Sequence, residues 1–280
     1  MPHHSKNKRK KFTVTIIAIV IAVMFLFPIY WTFLTAFRSE KEILKWPPSF
    51  LPLNLTTENF EKLLAREDTP VFRWFFNSLI AATAYATLSV LAAIMAAYSL
   101  ARLKFKFRDT YFKILIASMT IPPMILFLPN YTTVDSFGWT DNLISIILPG
   151  IGATFGVFLL RQFFIGIPKE LEEAAVIDGA NIWQRMFRII VPLSREAIIT
   201  LWVINFMTNW NDYLWPLVVL YSPDNRTLPV GMSTLQGTYI HYYGIIMAGA
   251  IFIAAPSIVI FLLVQRYYMS GISVSGAIKE

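Results

Sequence analysis

Residues 74–101, WFFNSLIAATAYATLSVLAAIMAAYSLA, form a run of 28 positions with no charged side chain and no proline. An α-helix rises about 1.5 Å per residue, so about 20 such residues are enough to cross the hydrocarbon core of a bilayer. A helix at the surface of a soluble protein instead carries polar groups on one face. The run therefore predicts a transmembrane α-helix.

Five further segments share this character, and with 74–101 they predict an all-α membrane protein with six transmembrane helices. Four of the five contain no charge, and the other contains only Asp212. The five segments are residues 12–37, 114–134, 142–160, 197–221 and 242–265. Composition agrees, because only 15% of the residues are charged, against about 25% in soluble domains.

The first apolar segment has two interpretations. The basic stretch Lys6–Lys11 before it is typical of a signal peptide. However, the run is longer than the roughly 7–15 residues of a signal core, and no A-x-A cleavage site follows. We therefore interpret residues 12–37 as an uncleaved first transmembrane helix.

The distribution of Lys and Arg predicts the orientation. With six crossings, 17 of the 24 basic residues fall on one side, in the two termini and in the loops between segments 2 and 3 and between segments 4 and 5. Positive charge stays on the cytoplasmic side, so we expect both termini in the cytoplasm of a prokaryotic cell. This gives a cytoplasmic N-terminus (1–11), an extracytoplasmic segment (38–73), a transmembrane core (74–268) and a cytoplasmic tail (269–280).

Two features are expected in the extracytoplasmic segment. Residues 46–52, WPPSFLP, should be irregular, since three of the seven are prolines. Residues after Thr57 should form a short capped amphipathic helix that packs on the membrane surface.

The composition also limits the chemistry. Without cysteine there is no disulfide, thiol catalysis or cysteine-type zinc site, and three histidines, two of them at positions 3 and 4, make a histidine metal site improbable. A net charge of +7 could suggest nucleic acid, but in a membrane protein it more often marks cytoplasmic loops. We find no catalytic constellation of the Ser/His/Asp or HExxH type, so an enzyme is not expected.

The sequence has neither of two common features that supply energy to a transporter. Ion-coupled carriers bury ionisable groups near the middle of the membrane, and five of the six segments have none. The chain also lacks the G-x-x-x-x-G-K-[ST] loop that cradles nucleotide phosphates. A transporter of this kind is either driven by a partner or acts as a passive channel.

The loop between segments 4 and 5 predicts two short helices joined by a turn, within about 168–191. Pro168 marks the first helix start, Gly179 its end and Pro192 the end of the second helix. Ala174 and Ala175 give the first helix a face of small residues. An interfacial amphipathic helix pair is the alternative interpretation.

Residues 173–180, EAAVIDGA, followed by Phe187, Ile190 and Pro192, resemble the EAA motif of ATP-binding-cassette importer permeases. The family often has a proline where this chain has Glu196. This difference affects the expected bend of the helix after the motif, not the expected docking. Six other stretches and the C-terminal end resemble the maltose-type permeases of carbohydrate and glycerol-phosphate importers, in particular the second permease of each pair. These are residues 76–79, 96–102, 158–164, 210–216, 227–231, 265–268 and 271–279.

The resemblance implies a coupling helix that docks into a nucleotide-binding subunit. Its implied coupling residues are Glu173, Ala174, Ala175, Asp178, Gly179 and Pro192. The implied partners are a second homologous permease, two ATPase subunits that use ATP and Mg²⁺, an extracytoplasmic solute-binding protein, a sugar and the lipid bilayer. The chain itself would hold no cofactor or metal and would bind no nucleic acid.

The solute pathway is expected on the fifth helix, where amides and aromatic rings suited to sugars concentrate. The candidates are Asn205, Asn209, Trp210 and Asp212, and Met119, Met124 and Asn130 of the third helix could also face the cavity. Inter-helix hydrogen bonding by the asparagines and an interfacial tryptophan belt is the alternative. At the level of function, the alternatives are a permease of this superfamily for a non-sugar solute and an ion-coupled carrier or channel.

Overall fold

A computed structural model describes residues 3–66, 69–152, 154–238 and 242–276, with side chains within 11–66, 69–152, 154–235 and 242–265. These residues form helices, turns and irregular segments, and no β-strand occurs among them. The predicted all-α class is confirmed. Residues 277–280 of the predicted C-terminal tail lie outside the described residues, while its preceding part, up to Gly276, continues the last helix.

The helices vary from three to 34 residues. In the first part of the chain they are α1 (His3–Ala36), α2 (Glu40–Ile43), α3 (Glu58–Leu64), α4 (Val71–Arg102), α5 (Arg108–Ser118), α6 (Phe127–Ser136), α7 (Ile144–Ile147) and α8 (Thr154–Gly166). In the second part they are α9 (Glu170–Ile177), α10 (Ile182–Arg185), α11 (Val191–Leu193), α12 (Arg195–Trp210), α13 (Leu214–Val219), α14 (Leu228–Thr238) and α15 (Tyr243–Gly276). Short 3₁₀ segments occur at Pro123–Leu126 and Pro223–Asn225, and a π-helical segment at Met186–Ile190.

Three helices are long and apolar enough to cross a membrane unaided. They are Lys11–Ala36 of α1, Val71–Arg102 and Tyr243–Gln265 of α15, with 26, 32 and 23 residues. Their bounds agree within three residues with the predicted segments 12–37, 74–101 and 242–265. Their charged residues, Lys11, Arg73 and Arg102, lie only at or near the helix ends, which is why sequence locates them well.

One other predicted segment, 114–134, is bent, and a second bend precedes the predicted segment 197–221. Arg108–Ser118 and Pro123–Ser136 meet at 91°, and Ile182–Leu193 and Arg195–Trp210 meet at 82°. The first bend falls at the Pro122-Pro123 pair, where two consecutive residues lack the N–H that a helix needs. By length and composition, the described residues thus contain three helices able to span a membrane, or up to five if each bent pair counts as one. The remaining predicted segment, 142–160, holds α7 and part of the 13-residue α8.

The described residues divide into two compact units. One lies within Met1–Val71 and Met232–Ala255, and the other within Phe72–Gly231 and Pro256–Glu280. In the second unit, a core of buried side chains joins α4, α8, the π-helical segment and α12. A side chain at Gly156 of α8 would lie only 3.1 Å from Leu201 and 3.2 Å from Ala93, so the glycine permits this close packing.

In the first unit, helix α3 packs against protein. Leu63 is fully buried, and the ring of Phe60 lies 4.7 Å from that of Phe37. The side chain of Asn59 donates to the carbonyl of Ala36 at 2.8 Å and to that of Arg38 at 2.7 Å. The apolar face of α3 and a buried amide are thus used to hold the end of α1, and the position of α3 at the membrane surface stays a prediction.

Candidate functional site

The segment that resembles the EAA motif contains α9, and the outer face of this helix is exposed. Ile177 is 86% exposed and Val176 is 50% exposed. Glu173 and Ala174 are also exposed, and Ala175 is partly buried. Apolar side chains grouped on an exposed surface commonly mark a site of protein interaction.

The turn after α9 depends on Gly179. This residue has φ of +82°, and the N–H groups of Gly179 and Ala180 donate to the carbonyls of Val176 at 3.0 Å and Ala175 at 2.8 Å. These two bonds form the Schellman motif, which favours glycine at the left-handed position. A side chain added at Gly179 would have no atom within 4 Å. The left-handed backbone conformation at position 179, rather than crowding by other atoms of this chain, therefore favours glycine there.

Asp178 contributes to the turn through its backbone, whose N–H donates to Ala174 at 3.1 Å. The next helix begins with a reciprocal cap that our sequence analysis missed. Asn181 Oδ1 accepts from the N–H of Gln184 at 2.9 Å, and Gln184 Oε1 accepts from the N–H of Asn181 at 2.8 Å. The spacing N-x-x-Q, similar to a capping box, was the available signal.

The inner face of α9 is anchored by a buried carboxylate that our sequence analysis also missed. Glu172 Oε2 lies 3.2 Å from Arg102 Nε, with side chains 8% and 4% exposed. This Nε–H does not point at the carboxylate, so the contact is an ion pair rather than an aligned hydrogen bond. The hydroxyl of Tyr98 donates to Glu172 Oε1 at 2.7 Å. Arg102 also donates to the carbonyls of Phe164 and, at 2.7 Å, of Ile167.

One guanidinium group thus joins three elements: the end of α4, the end of α8 and the start of α9. A buried arginine needs such partners because an unpaired buried charge costs several kcal/mol. The sequence signal was available, since Arg102 is the first charged residue after the uncharged run 74–101. Glu172 and Glu173 are adjacent acidic residues in the sequence, and only helix packing distinguishes the buried Glu172 from the exposed Glu173.

A largely basic cavity of about 420 Å³ lies between α9 and the end of α4. Five basic residues and two acidic residues line it. They are Arg102, Lys104, Arg108, Lys169 and Arg185, with Glu172 and Glu173. The positive excess at this surface favours an acidic partner surface.

The bend after the motif falls at Ser194 rather than at Pro192. Pro192 is exposed within α11 and has no N–H for the helical ladder. The π-helical segment Met186–Ile190 precedes it, and such segments accommodate an interruption of the ladder without ending the helix. The helix therefore continues to Leu193, three residues beyond its predicted end at Ile190.

A second cavity, of about 400 Å³, contains two of the four predicted solute-pathway residues, Asn209 and Asp212. Its other polar lining groups come from Tyr85, Asn130 and Thr208. Met124 of the third segment also lines it, whereas Met119 does not. The cavity combines polar groups with aromatic rings, since Phe127 and Trp215 are also in its lining.

The other two predicted residues are used in packing. Asn205 is buried, and its side-chain amide donates to the hydroxyl of Ser89 at 3.2 Å. Trp210 is fully buried, with its ring 5.8 Å from that of Phe206 and 5.6 Å from that of Phe75. Asn205 and Asn209 are four residues apart, but only Asn209 lines the cavity.

The two cavity residues also have local partners. Asn209 donates its amide to the carbonyl of Ile146 at 2.8 Å. The carboxylate of Asp212 accepts from the backbone N–H groups of Tyr213, Leu214 and Trp215 at the start of α13. Among the described residues, no group of three His, Cys, Asp or Glu side chains could hold a metal ion.

Comparison with known proteins places this arrangement in a family. The sequence model of "Binding-protein-dependent transport system inner membrane component" matches residues 89–273. The arabinooligosaccharides transport system permease protein AraQ of Halalkalibacterium halodurans is 34% identical, over 91% of this chain and 92% of that protein. The lactose transport system permease protein LacG of Rhizobium radiobacter is 31% identical, over 92% of each chain.

Solved structures show the same fold. A bacterial ABC transporter involved in the import of the acidic polysaccharide alginate has a chain that matches with a TM-score of 0.80 at 21% identity. The match covers 96% of this chain and 100% of that chain. With more than half of the sequence matched by the family and relatives aligned almost from end to end, this chain belongs to the binding-protein-dependent inner-membrane components, as a multi-pass transport subunit rather than an enzyme.

Proposed function

We propose that this chain is a permease subunit of an ATP-driven importer for a carbohydrate, either a mono- or oligosaccharide or a glycerol-phosphate-like solute. Relatives named for arabinooligosaccharides, lactose and sn-glycerol-3-phosphate support this class of solute. The observation that carries the ATP-driven mechanism is the pair of faces on α9. Its outer face is free for a partner, and its inner face is held by Glu172 on a buried core.

The proposed membrane arrangement has six spans with both termini in the cytoplasm. The placement of 17 of the 24 Lys and Arg residues in the termini and in the 2–3 and 4–5 loops supports it. In this arrangement the bent segment around Pro122 lies in the third span, α8 contributes to the fourth, and α12, which follows the bend at Ser194, begins the fifth. The segment 38–73 then faces the outside, and α9 faces the cytoplasm.

The proposed coupling residues are Glu173, Ala174, Ala175, Asp178, Gly179 and Pro192. Two ATPase subunits would close on ATP and Mg²⁺ and move α9, while a second permease completes the pathway and a solute-binding protein delivers sugar from outside. Because Arg102 joins α9 to α4 and α8, a displacement of α9 is transmitted to both helices. Packed elements of this kind move as bodies rather than deform continuously.

The proposed solute pathway centres on Asn209 and Asp212, at the cavity that Asn130, Tyr85 and Trp215 also line. Asn205 and Trp210 would contribute by fixing the position of α12. Amide and carboxylate groups beside aromatic rings can bind sugar hydroxyls and stack on sugar faces.

The test of coupling is Gly179→Asp in the complete transporter, assayed by ATP-driven sugar uptake in proteoliposomes. A carboxylate on the docking surface should lower uptake by about tenfold or more, equivalent to about 1.4 kcal/mol of lost docking. Uptake is normalised to the amount of assembled permease, because Asp at a positive φ is strained even where the space around it is open.

Gly138→Asp is the matched control. Gly138 also follows a helix, has φ of +66° and has no atom within 4 Å of an added side chain. It lies in the proposed 3–4 loop outside the membrane, so uptake should remain near the unmodified rate. Normal uptake by Gly179→Asp, or an equal loss in both variants, would refute the coupling assignment.

A further inference from the structure

Residues 44–55, which connect α2 to α3, carry a group of exposed apolar side chains. Trp46 is 86% exposed, and five other large apolar side chains are each more than half exposed. The five are Leu44, Phe50, Leu51, Leu53 and Leu55. Six large apolar groups within twelve residues are unusual on a surface that faces only water.

This loop folds back along α1 instead of extending away from it. The ring of Phe50 lies 5.5 Å from that of Trp31 and 6.5 Å from that of Phe27. The hydroxyl of Tyr30 donates to the carbonyl of Phe50 at 2.5 Å. Phe50 is therefore fixed beside a part of α1 that lies well before its end at Ala36.

Arg38 holds the same loop from its other side. Its guanidinium donates to the carbonyl of Ser49 at 2.7 Å and to that of Leu51. Leu44 and Pro48 line a cavity together with Trp31 and Thr35 of α1. Trp46 lies between Leu44 and Pro48 in the chain, so the part of the loop up to Leu51 is held at the level of the last turns of α1. The loop then leads past the end of α1, where the N–H of Thr56 donates to the carbonyl of Phe37 at 2.7 Å.

The position of the bilayer along α1 can be estimated from charge and length. The span-length part of the helix runs from Lys11 to Ala36 and has 26 residues. About 20 residues cross the hydrocarbon core, which brings the outer boundary close to Trp31 when Phe12 lies at the inner boundary. The level at which Phe50 contacts α1 is then the outer edge of the hydrocarbon core.

We propose that residues 44–55 form a loop inserted into the outer interface of the bilayer, with lipid as the partner that covers its apolar side chains. The proposal rests on the membrane arrangement given under the proposed function. Tryptophan is enriched at the level of the lipid headgroups because its ring is amphipathic. The exposed Lys45 beside Trp46 can extend its ammonium group to lipid phosphates. The loop also continues the apolar surface of α1, whose most apolar 18-residue stretch has no residue buried by the described part of the chain.

Spin labelling tests the loop directly, because the chain has no cysteine of its own. The complete transporter, with its other subunits freed of cysteine, would carry Trp46→Cys and a nitroxide in vesicles of phosphatidylethanolamine and phosphatidylglycerol. Collision with oxygen, which concentrates in lipid, is compared with collision with a water-soluble nickel chelate. Leu53→Cys provides a second position in the same loop, and the substituted side chains at both sites are exposed.

Lys62→Cys is the control, at an exposed position on α3. That helix contacts α1 through Phe60 and Phe37, and Phe37 is six residues beyond Trp31. At 1.5 Å per residue this is about 9 Å farther from the membrane centre. The control label should therefore collide mainly with the nickel chelate. The ratio of oxygen collision to nickel collision should be several-fold higher for labels at positions 46 and 53 than for the control.

Two results would overturn the proposal. A preference for nickel at 46 and 53 would show that water covers the loop, and low collision with both reagents would show that another protein subunit does. ATP-driven uptake of an arabinooligosaccharide, lactose and sn-glycerol-3-phosphate by the unlabelled complex is measured in parallel. Normal uptake with either overturning pattern rejects only the lipid contact, whereas absence of uptake of every solute in this panel would count against the proposed function.

Discussion

The outer face of α9 and the cavity beside α12 are the two candidate functional surfaces, but they use their polar side chains differently. On α9 the exposed Glu173 lies next to Glu172, which is buried and ion-paired. Beside α12 the cavity residue Asn209 and the buried Asn205 both donate hydrogen bonds inside the chain. Helix α9 is thus exposed on one face and anchored on the other by different residues. Beside α12, in contrast, Asn209 both lines the cavity and donates a hydrogen bond within the chain.

This difference has a consequence for mutation. At α9, stability and docking belong to different residues, so they can be separated by neighbouring substitutions. At α12, one residue can serve both packing and the cavity, so the two effects overlap.

The largest effect is expected from Glu172→Ala compared with Glu173→Ala. Removal of Glu172 leaves Arg102 buried without its carboxylate, which should destabilise the permease by about 3–5 kcal/mol. Removal of the exposed Glu173 should change stability by no more than about 0.5 kcal/mol, while lowering uptake if it docks a partner. Thermal unfolding of the purified complex in detergent, with uptake measured in parallel, checks both. Equal stability of the two variants would mean that the ion pair does not anchor α9.

A smaller effect is expected from Asn209→Ala compared with Asn205→Ala. Loss of the bond from Asn209 to Ile146 should cost about 1 kcal/mol, and the proposed solute contact should also raise the apparent KM for uptake several-fold. Asn205→Ala should cost a similar amount of stability without changing KM, because Asn205 does not line the cavity. The measurement is uptake against sugar concentration, normalised to the amount of folded permease. An unchanged KM in Asn209→Ala would remove the solute role.

The smallest effect concerns pH at Asp141, whose carboxylate lies near the start of α7. Burial works against its charged form, but hydrogen bonds from the hydroxyl and N–H of Ser222 and the N–H of Tyr221 outweigh it and lower the pKa of Asp141. A carboxyl whose pKa is lowered in the folded state stabilises the protein at pH values above the pKa of the unfolded chain, which is about 4. That stabilisation is lost as the pH falls through the folded pKa.

Asp141→Asn is the matching variant, because asparagine also tolerates the φ of +57° at this position. It should flatten the dependence of the unfolding midpoint on pH below about 5 and leave KM unchanged. Unfolding midpoints between about pH 3 and 7 provide the measurement. The same acid-side loss of stability in both proteins would show that other carboxylates account for it.

Contiguous sequence predicted those features that depend on neighbouring residues. The long apolar helices around 12–37, 74–101 and 242–265 followed from uncharged runs, since a helix satisfies its own backbone in lipid. The helix ending at Gly179 followed from glycine's access to positive φ. The bend was expected at Pro192 but falls at Ser194. The π-helical segment before Pro192 accommodates the missing N–H, and no sequence rule predicted that segment.

The sequence by itself therefore determined the all-α class, the location of three long spans and the exposed EAA-like turn. Only the tertiary structure decided which of two adjacent glutamates is buried, that Asn209 rather than Asn205 reaches the cavity, and that residues 44–55 return along α1. Helical periodicity says that side chains share a face, but it does not say what packs against that face. Partners such as Arg102 for Glu172, 70 positions apart in the chain, become neighbours only when the helices pack.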